Sequence, residues 1–568
     1  MKEFPAEFHR SPFPIVYPRL KPLPWLDWRR WQEKLQAGQL FTLTLYLGAS
    51  LFALLVLLVP LYLLVRTSTA WQEALETLAR PATQRVLGNT LTLTASVTVA
   101  TGFLAIPLAW LTTRTDLPGR RLWAVLHSLP LVIPSYIYAF LFISFLSPKG
   151  LLQQLLTPFG VERLPSVFGF SGAFIVLTLI SYPYFYLTVQ AAFKQMDASL
   201  LEAAQTSGAN KRQILRYVIL PYLRPSALAG GLLVALYVLR DFGAVTLLQF
   251  STFTRVIYNR YLGFQLDNAA TLATVLVLLT GAILYFESRV RGKEEDTPLE
   301  LDDYAHGKQF KLGRWRWPAL LFTGLVSLLS LFMPIGVLLY WIMRGVWQAW
   351  HPTAIVASQN IVLLDDLWAP AQSSLLAALL TAVLAVLLSL PIAILSVRYN
   401  GRLATFFERL SYSSYALPGI VVALAFVYTG INYAKPLYQT LPIMLAAYMV
   451  LFVPLAVSAA RSVLACIPVE LEEVGYSMGG SRWEILRHVT LPLMRPGLIA
   501  GGTLVFLTVM KELPATLLLS PLGVRTLPMV IWANISEAFF VRAAIPTLLL
   551  LVLSSIPLAW LSLRDSRA

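Results

Sequence analysis

The chain has 568 residues, of which 57% are apolar and 13% are charged, and its mean hydropathy is +0.67. Soluble proteins carry about 25% charged residues, so this composition excludes an ordinary soluble enzyme. The net charge of +15 could indicate a nucleic-acid-binding protein. Basic residues that are few and stand between long apolar runs instead favour loops that orient membrane helices. We therefore predict a polytopic membrane protein that binds no nucleic acid.

Cysteine and histidine are both scarce in the chain. A single cysteine, Cys466, excludes an intrachain disulfide and a thiolate metal cluster. The five histidines show none of the spacings that bind a metal ion, so no metal site is predicted. Cys466 itself is predicted to be a small buried thiol.

Long apolar runs begin after a basic, tryptophan-rich segment, residues 1–40, which is typical of a membrane-surface anchor or of a partly ordered tail. A spanning helix needs about 20 mostly apolar residues. Twelve runs meet this requirement: 41–65, 88–113, 121–146, 168–193, 226–248, 268–287, 318–343, 371–397, 405–430, 436–461, 496–520 and 540–563. Several contain prolines, which are predicted to kink the helices rather than end them. These are Pro60, Pro107, Pro130, Pro134, Pro183, Pro391, Pro418 and Pro454.

Lysine and arginine are distributed unevenly among the connecting segments. With the N-terminus in the cytoplasm, 31 of the 44 basic residues fall in cytoplasmic segments and 11 in the opposite loops. The remaining two, Arg240 and Lys511, fall inside predicted spans. The positive-inside rule therefore predicts that both termini are cytoplasmic.

The chain contains an internal repeat. Residues 202–231 match residues 473–502 at a constant offset of 271, and upstream prolines match at an offset of 284. Two halves follow, 41–287 and 318–568, joined by a polar cytoplasmic linker, 288–317. Because each half has six spans with the same starting orientation, they form a parallel repeat about an axis along the membrane normal. The predicted fold class is an all-α polytopic membrane protein of about twelve transmembrane helices in two six-helix halves.

One loop of each half carries the repeated pattern Glu-Ala-Ala-x3-Gly-x9-(Ile/Val)-x-Leu-Pro. The pattern resembles the cytoplasmic loop by which permease subunits of binding-protein-dependent ABC importers dock in a groove of their ATPase. The first loop, 195–221, contains Glu202, Ala203, Ala204, Gly208, Leu220 and Pro221, and the second, 466–492, contains Glu473, Val474, Gly475, Gly479, Leu491 and Pro492.

The residue types of these loops suit a helix, a turn and a second helix. Alanines favour helix, glycine permits the turn, and the prolines are predicted to end the second helix. The glutamates can stabilise a helix N-terminus or pair with a basic residue of the partner. Because Val474-Gly475 replaces Ala-Ala, the two docking sites are expected to differ in energy. An ordinary surface hairpin is the alternative interpretation.

The resemblance implies a type I ABC importer permease fold in the bacterial inner membrane. It also implies two copies of a cytoplasmic ATPase and a periplasmic or lipid-tethered binding protein. The chain lacks GxxxxGK[ST], so ATP and Mg²⁺ belong to the partner subunits and this chain is predicted to be neither an enzyme nor the carrier of a cofactor. A twelve-helix secondary transporter is the alternative, but it would carry coupling carboxylates in several spans and no such loop.

Two charged dipeptides, Arg240-Asp241 and Lys511-Glu512, lie within predicted spans at equivalent repeat positions. Charges inside a bilayer usually face the interior of a bundle or a water-filled cavity. One hypothesis pairs Arg240 with Glu512 and Lys511 with Asp241 as a gate or lock between the halves. The other makes the two carboxylates ligands for a passing cation.

The stretches Tyr237–Leu248, Ser251–Tyr258 and Lys511–Leu519 are similar to those of ferric-iron permeases built as one fused chain. That resemblance implies transport of Fe(III), whereas thiamine, phosphonate, polyamine and anion permeases share the same skeleton. Tyrosines in two spans could offer phenolate oxygens to Fe(III), or could simply pack helices. They are Tyr136, Tyr138, Tyr182, Tyr184 and Tyr186.

Overall fold

A computed structural model describes residues 28–148, 150–196, 203–204, 206–208, 210–291, 310–350, 364–399 and 401–565. The α-helices of the first half are α1 (Trp28–Thr69), α2 (Trp71–Ala79), α3 (Pro81–Arg114), α4 (Arg120–Leu126), α5 (Ser135–Leu146), α6 (Leu151–Leu156), α7 (Phe170–Gln195), α8 (Lys211–Ile214), α9 (Leu220–Arg240), α10 (Gly243–Leu247), α11 (Phe253–Leu262) and α12 (Leu266–Arg291). Those of the second half are α13 (Arg316–Ser327), α14 (Met333–Trp350), α15 (Leu364–Arg398), α16 (Arg402–Tyr415), α17 (Gly419–Asn432), α18 (Leu441–Cys466), α19 (Val469–Ser477), α20 (Arg482–Ile485), α21 (Leu491–Lys511), α22 (Pro514–Leu519), α23 (Leu527–Ser536) and α24 (Phe540–Asp565).

The fold is all-α, as predicted. Within the described residues, eleven helical segments are long and apolar enough to cross a membrane, and α16 with α17 makes a twelfth as a pair bent by 108°. The described part of the chain contains one isolated β-bridge, between Thr115 and Phe310, and no strand. The predicted twelve-span architecture is therefore confirmed.

Two predicted spans are broken rather than kinked. The run 121–146 forms α4 and α5, separated by a 3₁₀ turn at Leu129–Val132, and the run 405–430 forms α16 and α17. Pro134 and Pro418 each stand just before a new helix, in extended backbone with ψ of 147° and 137°. A residue before proline is forced out of the helical region, so these prolines end one helix and start the next.

The other break-point proline is Pro130, which lies in the 3₁₀ turn and not in a continuous helix. The prediction of simple kinks was therefore wrong for Pro130, Pro134 and Pro418. It is confirmed for the prolines that lie inside α1, α3, α7, α15 and α18, which are Pro60, Pro107, Pro183, Pro391 and Pro454.

The predicted spans 226–248 and 496–520 also end early. Helix α9 ends at Arg240 and α21 ends at Lys511, where the backbone becomes extended at Asp241 and Glu512. Short helices, α10 and α22, then follow. The charged dipeptides therefore lie at helix ends inside the protein, where the chain turns, and not in the middle of regular spanning helices.

Helices of each half pack into an apolar core with helices of the other half. One apolar core joins α1 and α12 of the first half to α15, α17, α18 and α21 of the second, with Phe52 and Phe452 among its buried members. The other core joins α3, α5, α7 and α9 to α14, α23 and α24, with Phe140 and Ala544 among its members. Because each core takes helices from both halves, the two halves pack as one interlocked unit and not as two separate bundles.

Candidate functional site

The repeated loops lie between α7 and α9 in the first half and between α18 and α21 in the second. In the first loop Ala203 and Ala204 are helical, whereas Glu202 lies outside the described residues. In the second loop α19 carries Glu473, Val474 and Gly475. The predicted helix–turn–helix shape is thus present in the second loop and in the described part of the first.

The turn of each loop depends on a glycine in the left-handed region. Gly208 has φ +80° and Gly479 has φ +85°, a backbone conformation that side chains with a Cβ adopt only with strain. The two glycines are related by the repeat offset of 271. The same glycine-dependent turn is therefore built twice, at equivalent points.

A reciprocal capping box begins the second helix of each loop, and the sequence reasoning missed it. Ser481 N–H donates to Glu484 Oε2 at 2.6 Å, while Glu484 N–H donates to Ser481 Oγ at 3.3 Å. Asn210 and Gln213 exchange the same bonds at 2.8 and 2.9 Å. The spacing Ser/Asn-x-x-Glu/Gln is readable in the sequence and would have located both helix starts.

The prolines at the ends of the loops do not close a helix. Each loop helix continues through a π-helical turn, Leu215–Ile219 or Leu486–Thr490, directly into α9 or α21. Pro221 and Pro492 occupy the first turn after it, and Leu220 and Leu491 donate their N–H groups five residues back. A proline in a continuous helix has no N–H to donate and clashes with the carbonyl four residues back, and the wider π-helical turn before it accommodates this break in the hydrogen bonding. The prediction that these prolines end the second helix was wrong.

The second loop exposes an apolar surface. Met478 is 81% exposed and Val474 57%, and Val469, Leu471 and Trp483 are also exposed. Large exposed apolar patches mark protein-interaction sites. Glu473 is exposed beside them, beyond the first turn of α19, so Glu470 and Glu472 take the N-terminal positions suggested for it.

Equivalent arginines hold the start of each loop. Arg398 donates to the carbonyl oxygen of Ile467 at 2.9 Å, and Arg114 donates to the carbonyl oxygen of Met196. In the second half, Arg398 also forms an ion pair with Glu472 at 3.3 Å, with side chains only 13% and 12% exposed. The repeat offset places Leu201 opposite Glu472, so the first half has no carboxylate at the equivalent sequence position.

Helix α1 supports the second loop. Arg482 donates to Thr42 Oγ1 at 2.9 Å and to Tyr399 OH at 3.0 Å. Phe41 and Trp483 pack edge to face with their ring centroids 5.0 Å apart. Residues just after the predicted N-terminal segment therefore contact the second loop.

Cys466, the last residue of α18, is exposed. The prediction of a buried thiol was wrong, because α18 ends at this residue and the chain leaves the core to begin the second loop.

Asp116 joins the first half to the end of the linker, which precedes the second half. Its carboxylate accepts the N–H of Leu312 at 2.8 Å and a bond from Arg316 at 2.9 Å. The Leu312 N–H and the Arg316 guanidinium hold the pKa of Asp116 below its usual value. The ionised carboxylate thus holds the end of the linker against the loop that follows α3.

We expect Arg398→Ala to loosen the second loop, because it leaves the mostly buried Glu472 carboxylate without its cation. Removing one partner of such a pair costs about 3 kcal/mol. Hydrogen exchange of residues 467–490 should rise, while exchange in the first loop stays unchanged. Arg461→Ala is the matched control, since its pair with Glu408 is more exposed, at 42% and 19%. Equal exchange in both variants would contradict a structural role for the Arg398 pair.

A cavity of about 280 Å³ lies between the halves and contains both charged dipeptides among its lining residues. Across it, Arg240 donates to the carbonyl oxygen of Tyr415 and packs over the Tyr415 ring at 4.9 Å. Lys511 donates to the carbonyl oxygen of Leu131 at 3.3 Å. Leu131 and Tyr415 are related by the offset of 284. The cation of each half therefore bonds the broken span of the other half, and the two broken spans occupy equivalent positions in the repeat.

The neighbouring carboxylates cap short helices. Asp241 Oδ1 accepts the N–H groups of Ala244 and Val245 at 3.0 and 3.2 Å. Glu512 Oε1 accepts the Ala515 N–H at 3.2 Å. Among the described residues, no ion pair joins Arg240 to Glu512 or Lys511 to Asp241. At this cavity the cation of each half therefore bonds a backbone carbonyl of the other half, and the described residues do not form the ion pairs that one hypothesis predicted.

Of the five candidate tyrosines, two line the cavity and three lie elsewhere. Tyr136 and Tyr184 line the cavity, together with Tyr237 and Tyr415, which the sequence reasoning did not select. Tyr138, Tyr182 and Tyr186 point elsewhere and form hydrogen bonds to Leu329, Ser330 and Thr112, respectively. Among the described residues, no group of three histidine, cysteine or acidic side chains could hold a metal ion.

This arrangement is typical of a membrane transport component: two interlocked six-span halves, a cavity between them that is lined by charged residues, and a helix–turn–helix loop from each half. The family model for the inner membrane component of binding-protein-dependent transport systems matches residues 102–288 and again 385–567. The chain belongs to this family.

Named relatives include full-length and half-length permeases. The Fe(3+)-transport system permease protein FbpB 2 of Haemophilus influenzae is 32% identical over 508 residues, which cover 88% of this chain and 93% of the relative. The ferric transport system permease protein FbpB of Actinobacillus pleuropneumoniae is 24% identical, covering 83% and 70%. The sulfate transport system permease protein CysT of Salmonella typhimurium is 29% identical, covering 43% of this chain and 90% of the relative.

Proposed function

We propose that this chain is the fused membrane subunit of an ABC importer for ferric iron. The observation that carries the proposal is the full-length similarity to ferric permeases, together with two equivalent loops of a type suited to docking. An extracytoplasmic binding protein delivers the iron. Separate ATPases, one at each loop, bind ATP and Mg²⁺ and drive the halves between inward-open and outward-open states.

The charged cavity acts as the gate in this proposal. In the described state, bonds from Arg240 and Lys511 to carbonyls of the opposite half hold the cavity walls together. Moving the halves apart breaks both bonds. The capped carboxylates Asp241 and Glu512 stay with their own helices and keep the turns at the cavity intact.

Transport in a reconstituted system tests the substrate. The chain, its ATPase and its binding protein are placed in proteoliposomes, and ⁵⁵Fe uptake is measured with ATP. We expect uptake that disappears when the ATPase is replaced by a hydrolysis-deficient form. Uptake of sulfate, thiamine or a polyamine without uptake of iron would overturn the ferric assignment and leave the permease role standing.

The single cysteine reports the orientation. We expect an impermeant maleimide to label Cys466 in inverted membrane vesicles and not in intact cells, because the loop that follows it faces the cytoplasm in this proposal. Added ATPase should protect it. The reciprocal control is Leu522→Cys in a Cys466→Ser background, since Leu522 is exposed at the opposite end of the bundle. Labelling of Cys466 in intact cells would contradict cytoplasmic loops.

A further inference from the structure

A second cavity, of about 190 Å³, lies at the end of the bundle opposite the loops, between the end of α14 and the start of α24. Arg344 and Gln348 of α14 line it, and Arg542 of α24 faces them. The guanidinium of Arg344 packs over the Trp341 ring at 5.2 Å, and that of Arg542 packs over Phe539 at 5.0 Å. The cavity is thus lined by two guanidinium groups, each of which packs on an aromatic ring.

Two buried polar atoms of this cavity have no hydrogen-bond partner. They are Nε of Arg542, a donor, and Oε1 of Gln348, an acceptor. Neither guanidinium forms an ion pair with a carboxylate of the described residues. A buried polar group without a partner is costly, so the site favours a ligand that carries both an acceptor and a donor.

Comparison of the two repeats shows that the second half lacks a carboxylate at this helix contact. The turn before α12, with Phe264 at φ +57°, matches the turn before α24, with Ala538 at φ +61°, at an offset of 274. In the first half the equivalent helix contact carries an ion pair, Arg66 with Asp267 at 3.0 Å. The same offset places Val541 opposite Asp267. The second half therefore has the arginines without the carboxylate.

We propose that this cavity binds the headgroup of a zwitterionic phospholipid such as phosphatidylethanolamine. The phosphate takes the place of the missing carboxylate between Arg344 and Arg542, and the ammonium donates to Gln348 Oε1. The neighbouring Met343, Val346 and Trp347 are exposed on the same stretch of α14. Exposed apolar residues and tryptophan near the end of a spanning helix are typical of the membrane interface, where the lipid tails continue from the headgroup.

Native mass spectrometry of the full chain released from nanodiscs of defined lipid tests this site. We expect retained phosphatidylethanolamine on the wild type and about tenfold weaker retention in Arg542→Ala, a change equivalent to one strong contact. Val541→Asp restores the carboxylate of the first half and should displace the lipid without unfolding the chain. Arg525→Ala is the matched control, since this arginine is exposed at the same end outside the cavity, and should retain the lipid.

The choice of lipid and of competitor distinguishes the sources of the phosphate. Phosphatidylglycerol should bind less well than phosphatidylethanolamine, and Gln348→Leu should remove that difference. Displacement by millimolar inorganic phosphate would assign the site to the free ion and overturn the lipid assignment. Displacement by the binding protein would assign it to a protein carboxylate instead. Unchanged retention in both Arg542→Ala and Val541→Asp would overturn the site altogether.

Discussion

Gly479→Pro should abolish ATP-driven transport, because it removes the turn on which the second loop depends. Proline fixes φ near −65°, whereas Gly479 has φ +85°. Its N–H also bonds the Tyr476 carbonyl at 2.9 Å, and proline has no such donor. The helices α19 and α20 can then no longer keep their angle, and the exposed apolar surface that includes Val474 and Trp483 is divided.

The measurement is co-purification of the ATPase in mild detergent together with ⁵⁵Fe uptake. We expect both to fall by at least about tenfold, which corresponds to a loss of only 1.4 kcal/mol in association. Gly208→Pro should act in the same way through the first loop. If the double variant Gly208→Pro, Gly479→Pro transports normally, the docking role of the loops is wrong.

Gly523→Pro is the matched control for backbone strain. Gly523 has φ +79° but lies in a connection between α22 and α23, away from both loops. We expect this variant to lower the thermal midpoint of the protein and to keep its ATPase. A similar loss of ATPase in both variants would mean that the effect comes from general destabilisation.

Asp241→Ala should have the next largest effect. Asp241 is 7% exposed, and its Oδ1 satisfies the N–H groups of Ala244 and Val245 at the start of α10. Alanine leaves two buried donors unpaired, which costs about 2–4 kcal/mol. It also leaves Arg240 without its neighbouring negative charge. Because α10 follows the turn at the cavity, we expect a lower thermal midpoint and loss of transport.

Asp241→Asn separates capping from charge. The amide oxygen of asparagine can accept the same N–H groups, so we expect the thermal midpoint to recover most of its loss. Transport that stays low in this variant would show that the charge itself is needed at the gate. Glu512→Ala should cost less than Asp241→Ala, since Glu512 accepts one N–H. A wild-type midpoint for Asp241→Ala would contradict the capping role.

Two kinds of feature could be predicted from the sequence: the loops that recur in both halves, and the spanning helices that hydropathy detects. The offset of 271 linked Gly208 to Gly479, and the structure gives both the same left-handed turn. Spans were located well where the chain is one apolar helix, as for α7 and α18. The loop motif also pointed to the surface that carries Val474 and Met478.

What could not be predicted depends on backbone geometry that composition does not record. Hydropathy averages across Arg240 and Lys511, so it missed that α9 and α21 end there. The acceptors of these cations are carbonyl oxygens of Tyr415 and Leu131, and every residue has a carbonyl, so no pattern indicates them. The opposite charges in the sequence therefore suggested that Asp241 and Glu512 pair with these cations. In the fold, both carboxylates instead cap short helices.

The π-helical turns of the two loops have a mechanical consequence. They keep each loop helix continuous with a spanning helix, so residues 482–511 form one helical segment of 30 residues, about 45 Å long. One end carries the surface next to Trp483, and the other carries Lys511. Because the segment is one continuous helix, a displacement of its loop end can reach its cavity end through the helix backbone itself. A small displacement imposed at the loop would therefore change the Lys511–Leu131 distance, and the equivalent segment ending at Arg240 would act in the same way from the other half.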